Sequence, residues 1–148
     1  MQTPKIILVP TDFSAAAETA LDHALALAAR LEARVFLLHA YELPIVGFPD
    51  GMLVPSAEIA SRLIASAEGK LAASVAKRKD SGVTIVPLLK QADPREAILE
   101  AADDLSADLV VMGTHGRRGI ARALIGSVAE AIVRASTIPV LTVHAAPS

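Results

Sequence analysis

The sequence predicts an open, doubly wound α/β domain, Rossmann-like, with a five-stranded parallel sheet in the order βαβαβαβαβ. Short aliphatic runs alternate with longer amphipathic ones along the whole chain. The segments between successive strands are long enough for right-handed crossovers. A glycine-bearing segment, Gly113-Thr114-His115-Gly116, then nine residues, then Gly126-Ser127, separates a strand-like run from a helix-like one.

The elements follow in order. Lys5 to Val9 is a β-branched and aliphatic run closed by Pro10, the pattern of a buried strand. Ser14 to Leu31 is helical, with Ala17, Leu21, Ala24, Leu25, Ala28 and Leu31 at three- and four-residue steps. Arg34 to Ala40 is the second strand. Tyr41 to Val54 holds Pro44, Gly47, Pro49 and Gly51 and reads as a long loop, either a lid or a surface excursion. Ser56 to Ser81 is a long helix with Ile59, Leu63, Ile64, Ala67, Leu71 and Val75 on one face and Gly82 as its stop. Val83 to Leu89 is the third strand. Asp93-Pro94-Arg95-Glu96 is a capping box with proline at the first helical position, opening a helix that runs through Leu105. Asp108 to Met112 is the fourth strand and Ser127 to Ala135 the last helix. Pro139 to Val143 is the fifth strand, with proline where no ladder bond is lost.

Bulk properties narrow the function classes. A chain of 148 residues fits one domain, residues 1–148, which buries about 70% of its unfolded surface. The net charge of −2 supplies no basic field for nucleic acid or an anionic membrane. There is no cysteine, so disulfides, zinc thiolates and thiol nucleophiles are excluded. The N-terminus lacks the pattern of a signal peptide, and no apolar run reaches membrane-spanning length. A cytoplasmic location is expected.

In such sheets ligands sit beyond the carboxyl ends of the strands. Three ends are expected to converge: Pro10-Thr11-Asp12, His39-Ala40-Tyr41 and Met112-Gly113. The glycine bend leads into a helix N-terminus, where unpaired amides and the helix dipole favour an anion. The chain is therefore expected to bind a nucleotide. The P-loop pattern, Gly-x-Gly-x-x-Gly and His-x-Gly-His are all absent.

Gly113-x-x-Gly116, nine residues, then Gly126-Ser127 resembles the ATP-binding branch of the universal stress protein family. So do Ile6 to Ser14, Leu37-Leu38-His39, Asp108 to Gly116, and Gly126 to Glu130 through Pro139-Val140-Leu141. The resemblance covers nearly the whole chain. Ala92 departs from it, standing where the family often has glycine. The resemblance implies the adenine nucleotide alpha-hydrolase-like form of the fold, and ATP as ligand, with Mg or Mn carried by the phosphates. It places Gly113 near the ribose, and Gly116, Gly126, Ser127 and Val128 near the phosphates. Pro10 and Asp12, with Thr11 between them, would line the nucleoside pocket, and the Ala40 backbone would meet the adenine edge. It also implies a homodimer through the Pro139–Val143 edge strand and a regulatory role in stress tolerance, with no catalytic residue assigned.

Several of these residues have plainer readings. Gly113 and Gly116 serve either close approach to phosphate or bends with positive φ. Ser127-Val128-Ala129-Glu130 is itself a capping box, with Ser127 as the cap. Asp12 either caps the first helix or accepts from the nucleoside; Ser14 is a competing cap that would leave Asp12 free. Arg117, Arg118 and Arg122 are either solvated or complement a polyphosphate, one of them at most being assigned there. His115, a nucleotide-site candidate inside the motif, is either a general acid or the residue that orients the loop through a hydrogen bond, the second being favoured because no partnered base accompanies it. The histidines show no metal-cage spacing. A slow ATPase or phosphotransferase, and a dimeric module that ignores nucleotides, are the competing functions.

Overall fold

The computed structural model describes residues 2–43, 57–114 and 126–145. Among them, strands and helices alternate as β1 (Ile6–Pro10), α1 (Ala15–Leu31), β2 (Arg34–Tyr41), α2 (Ala57–Ala76), β3 (Ile85–Gln91), α3 (Pro94–Leu105), β4 (Leu109–Gly113), α4 (Ser127–Ala135) and β5 (Val140–Val143). The sheet order is β3-β2-β1-β4-β5, and every neighbouring pair is parallel. The winding reverses between β1 and β4, which makes their carboxyl ends the switch point. None of the described helices is long and apolar enough to cross a membrane.

Strand alternation sorts the core into two layers. Ile7 and Val9 of β1 join Ala20, Leu21 and Ala24 of α1 and Leu71 of α2 on one face of the sheet. Leu8 joins Ala97 and Ile98 of α3 and Ile132 of α4 on the other. Burial on both faces explains why β1 is an unbroken apolar run in sequence. The alanine-rich face of α1 lets the helix lie close to the sheet. At Gly113 there is no room for a side chain: a Cβ there would lie 2.9 Å from both the carbonyl carbon and the Cβ of Ala16. Gly113 thus serves helix–strand contact, a role separate from both uses read from the sequence.

Most boundaries fall within a residue or two of expectation, as helix and strand ends ordinarily do. The expected helix 56–81 is the main difference. It divides into α2 and a 3-10 turn at Lys79–Ser81, and Gly82, at φ +75°, ends the turn rather than the α-helix. The Arg78 N–H bonds the Val75 carbonyl at 3.0 Å, the i to i−3 pattern of a tightening last turn. The Arg78 side chain reaches α1, meeting Glu18 at 2.6 Å and Asp22 at 2.8 Å. Buried Ser74 donates to Glu18 at 3.1 Å. Burial by itself lowers the Arg78 pKa, but its hydrogen bond to Asp22 and the Glu18 charge outweigh that and raise it. Burial varies along the expected apolar face. Ala67 and Leu71 are buried, while Ile59 and Leu63 remain 40% and 37% exposed.

The helix starts differ in their caps. Ser14 caps α1, its hydroxyl accepting from the Ala17 N–H at 3.2 Å. Asp93 caps α3, as the sequence motif predicts, with Pro94 next to it. Its Oδ1 accepts from the Arg95 N–H at 2.9 Å, and its carboxylate pairs with the Arg95 guanidinium at 3.0 Å. The Arg95 side chain first, and its backbone N–H second, hold the Asp93 carboxyl below the ordinary carboxylate range. At α4 the expectation fails: the cap is Gly126, and Ser127 is the first helical residue. The Gly126 carbonyl accepts from the Glu130 N–H at 2.9 Å, while its own N–H donates to the Thr114 carbonyl. That contact with the end of β4 sets the helix start one residue earlier than the local Ser-x-x-Glu pattern suggests.

Candidate functional site

A cavity of about 330 Å³ lies beyond the carboxyl ends of β1, β2 and β4. That volume lies in the range of small-molecule sites. The expected β1 residues, Pro10, Thr11 and Asp12, line it, as does Ala40 of β2. Met112 and Gly113 of β4 line it, and so do Gly126, Ser127 and Val128 at the start of α4. His115, Gly116 and Arg117, with Arg118 and Arg122, lie outside the described residues, as does most of the 41–54 loop.

The α4 end of the cavity is a field of donors. With Gly126 spent on Thr114, the next amides, of Ser127, Val128 and Ala129, find no acceptor among the described residues. The first turn of a helix leaves such N–H groups unsatisfied unless a side chain, water or ligand meets them. Ser127 is exposed, and its hydroxyl is not the cap. The β1–β2 side contributes a carboxylate, Asp12. Asp12 accepts from the Ser14 N–H at 3.0 Å, so the expectation that Ser14 leaves Asp12 free is corrected: both residues fix the turn.

Ala40 owes its place to strand alternation. The Arg34 N–H bonds the Lys5 carbonyl and the Leu38 carbonyl accepts from Thr11, so the even positions of β2 turn their peptide groups toward β1. The last β1–β2 pair is Pro10 with Leu38. Ala40 therefore turns its N–H and C=O to the same side, past the point where β1 pairing ends.

Sequence reasoning left out several walls of this cavity. Pro94 and Ile98 come from the first two turns of α3. Their i, i+4 spacing was the signal available, since it sets both on one helix face. Ser14 lines the cavity too, as does Thr114, which is 1% exposed; His39, on the β2 end expected to converge here, lies in the same wall. The Thr114 N–H bonds the Val143 carbonyl at 3.0 Å, and its hydroxyl lies 3.1 Å from His144 Nδ1. This residue joins the ends of β4 and β5 to the start of α4. No local pattern announces it.

Residues 3–144 match the model of the universal stress protein family. The chain belongs to that family. Universal stress protein MJ0531 of Methanocaldococcus jannaschii is 36% identical over 143 residues, covering 94% of this chain and 81% of the relative. Universal stress protein MJ0577 of the same organism is 30% identical over 152 residues, covering 94% of each. The solved structure of MJ0577 superposes with a TM-score of 0.76, over 99% of this chain and 100% of the other. A universal stress protein solved in complex with cAMP superposes with a TM-score of 0.72 at 29% identity, covering 98% of this chain and 100% of that one. These likenesses extend across the sheet and helices that frame the cavity.

Proposed function

We propose that this universal stress protein binds an adenine nucleotide in the switch-point cavity, with ATP as the preferred ligand. It then acts as a nucleotide-dependent regulator in stress tolerance. The observation that carries the reading is the polarity of the cavity. Its α4 end offers uncapped helix amides, and its β1–β2 end offers a carboxylate and an open peptide edge. A phosphate is favoured at the first and repelled by the Asp12 charge at the second. Nucleoside hydroxyl and amino groups are donors suited to the second. A relative solved with cAMP supports the adenine assignment. His115, Gly116 and Arg117 would complete the phosphate end from the segment that precedes α4. Among the described residues no group of three His, Asp or Glu side chains could hold a metal ion. In this reading Mg or Mn enters on the phosphates, which supply oxygen ligands themselves.

The same reading includes a cytoplasmic homodimer through β5. That strand is a sheet edge, and Leu141 on it and Val133 on α4 are 40% and 48% exposed. An apolar edge strand favours pairing with a second copy. Sedimentation should give a dimer, and Leu141→Lys should weaken it; a monomer at working concentrations removes this part.

Calorimetric titration with ATP, ADP, AMP and cAMP tests the ligand, together with mass spectrometry of whatever the purified protein carries. Binding should raise stability by about 2.7 kcal/mol at a hundredfold excess of ATP over Kd. No heat with any of the four, and no nucleotide carried through purification, would end the proposal. Phosphate release that persists in Gly126→Val would come from a contaminant rather than from slow hydrolysis in this cavity.

A further inference from the structure

Phe13 holds the left-handed backbone conformation, φ +65°, between two residues of the cavity wall. Such a conformation is costly for a bulky side chain and persists only where its surroundings fix it. The Phe13 N–H donates to Thr11 Oγ1 at 3.0 Å, and the Ser14 N–H donates to Asp12 Oδ1 at 3.0 Å. Lys70 of α2 sets its Nζ 5.7 Å from the centre of the Phe13 ring. The His39 ring packs on Phe13 with centroids 4.5 Å apart and planes at 41°. His39 Nδ1 also lies 2.8 Å from the Thr11 carbonyl oxygen. A carbonyl only accepts, so Nδ1 carries the hydrogen.

The Thr11 carbonyl is the next acceptor in the β1–β2 ladder. By the alternation of that ladder it would face the Ala40 N–H. The His39 ring engages it from the side chain instead. One imidazole thereby meets both ends of the turn: the carbonyl before Asp12 and the ring after it.

We propose that His39 is a positioning residue for the nucleoside end of the cavity. It holds the Thr11–Phe13 turn so that Asp12 and the Ala40 peptide edge both face the ligand. The proposal rests on the adenine-nucleotide reading above. His39 acts through the turn, and its contribution is therefore tied to the strained state of Phe13.

The test uses ATP titration of His39→Leu, His39→Asn and the double variant His39→Leu/Phe13→Gly, with urea midpoints checking that each is folded. His39→Leu loses the donor and should weaken ATP binding about tenfold. His39→Asn places an amide N–H near the Nδ1 position and should recover most of the loss. In the double variant, glycine adopts φ near +65° without strain, so affinity should again approach wild type. Wild-type affinity in His39→Leu overturns the proposal. So does a loss that neither asparagine nor Phe13→Gly relieves, since the ring would then act on the ligand directly. The ligand-free protein supplies a readout that does not depend on nucleotide binding. The Phe13 HN–Hα coupling and carbon shifts should leave their left-handed values in His39→Leu and keep them in His39→Asn. Unchanged values in His39→Leu overturn the proposal. A wild-type protein that ignores ATP defeats the nucleotide reading instead, and the backbone readout then decides the role of His39 in the turn.

Discussion

α3 and α4 both begin at the cavity, on the same side of the sheet, yet their first turns are opposite in kind. α3 starts with Asp93, whose carboxylate covers the Arg95 N–H and pairs with the Arg95 guanidinium. α4 starts with Gly126, which brings no side chain, and its next three amides have no acceptor among the described residues. An end that supplies its own anion has little left for another. Accordingly α3 lends the cavity an apolar wall, Pro94 and Ile98, while α4 lends it donors. The chemistry of one cap residue decides which helix end meets a phosphate, although the dipole is common to both.

The most direct way to break this contrast is to make α4 resemble α3. Gly126 has φ −59° and ψ 155°, a backbone that any residue adopts. In Gly126→Asp the new carboxylate should take the α4 amides and repel the phosphates. ATP affinity measured by calorimetry should fall about a hundredfold or more. Unaltered affinity would place the phosphates elsewhere.

The reverse change strips α3. Asp93→Ala removes the cap and should lower the melting temperature by about 2–4 °C in a calorimetric scan. ATP affinity should stay within about twofold if only α4 serves the anion.

The acid limb of stability sharpens the same point. The Asp93 carboxyl is held below its unfolded value by the Arg95 side chain, then by the Arg95 backbone N–H. Its contribution is present above the unfolded pKa and disappears as pH falls through the lower folded one. Stability of the wild type should thus fall more steeply than that of Asp93→Asn across that acidic window, in urea titrations at stepped pH.

Ser127→Ala has the smallest expected effect. At the first helical position rather than the cap, its loss should change stability by no more than about 0.5 kcal/mol, and ATP affinity by less than about tenfold. A loss near that of Asp93→Ala would restore Ser127 as the cap.

These two helix starts also show what the sequence made legible. In Asp93-Pro94-x-Glu96, Asp93 as cap with Pro94 beside it is legible because that half of the motif is local. The Glu96 half of the expected box is not formed among the described residues, and the Arg95 N–H and guanidinium meet Asp93 instead. Ser127-x-x-Glu130 has the same form and misled, because the Gly126 amide is engaged by Thr114, a residue from the end of β4. The sheet was legible for a similar reason: the Ile7–Val9 run and the α1 alanines carry their own periodicity. Gly113 was recognised by position, but its close contact with Ala16 arises only once α1 lies on β4. The left-handed Phe13 is invisible in Thr-Asp-Phe-Ser, since neighbours on β2 and α2 enforce it. The α2 pattern names one face but not its depth of burial, which falls from Leu71 at 3% exposed to Ile59 at 40%.

The Arg78 cluster gives α2 the mechanics of a beam clamped at one end. Near Ser74 the helix is gripped by a guanidinium shared between Glu18 and Asp22, with side-chain exposure of only 11% at Arg78. Toward Ala57 the side chains are more open, with Leu63 and Ile59 37% and 40% exposed. The Lys70 contact with Phe13 lies within about two turns of that clamp, so the Arg78 cluster fixes the stretch of α2 that supports the Phe13 turn.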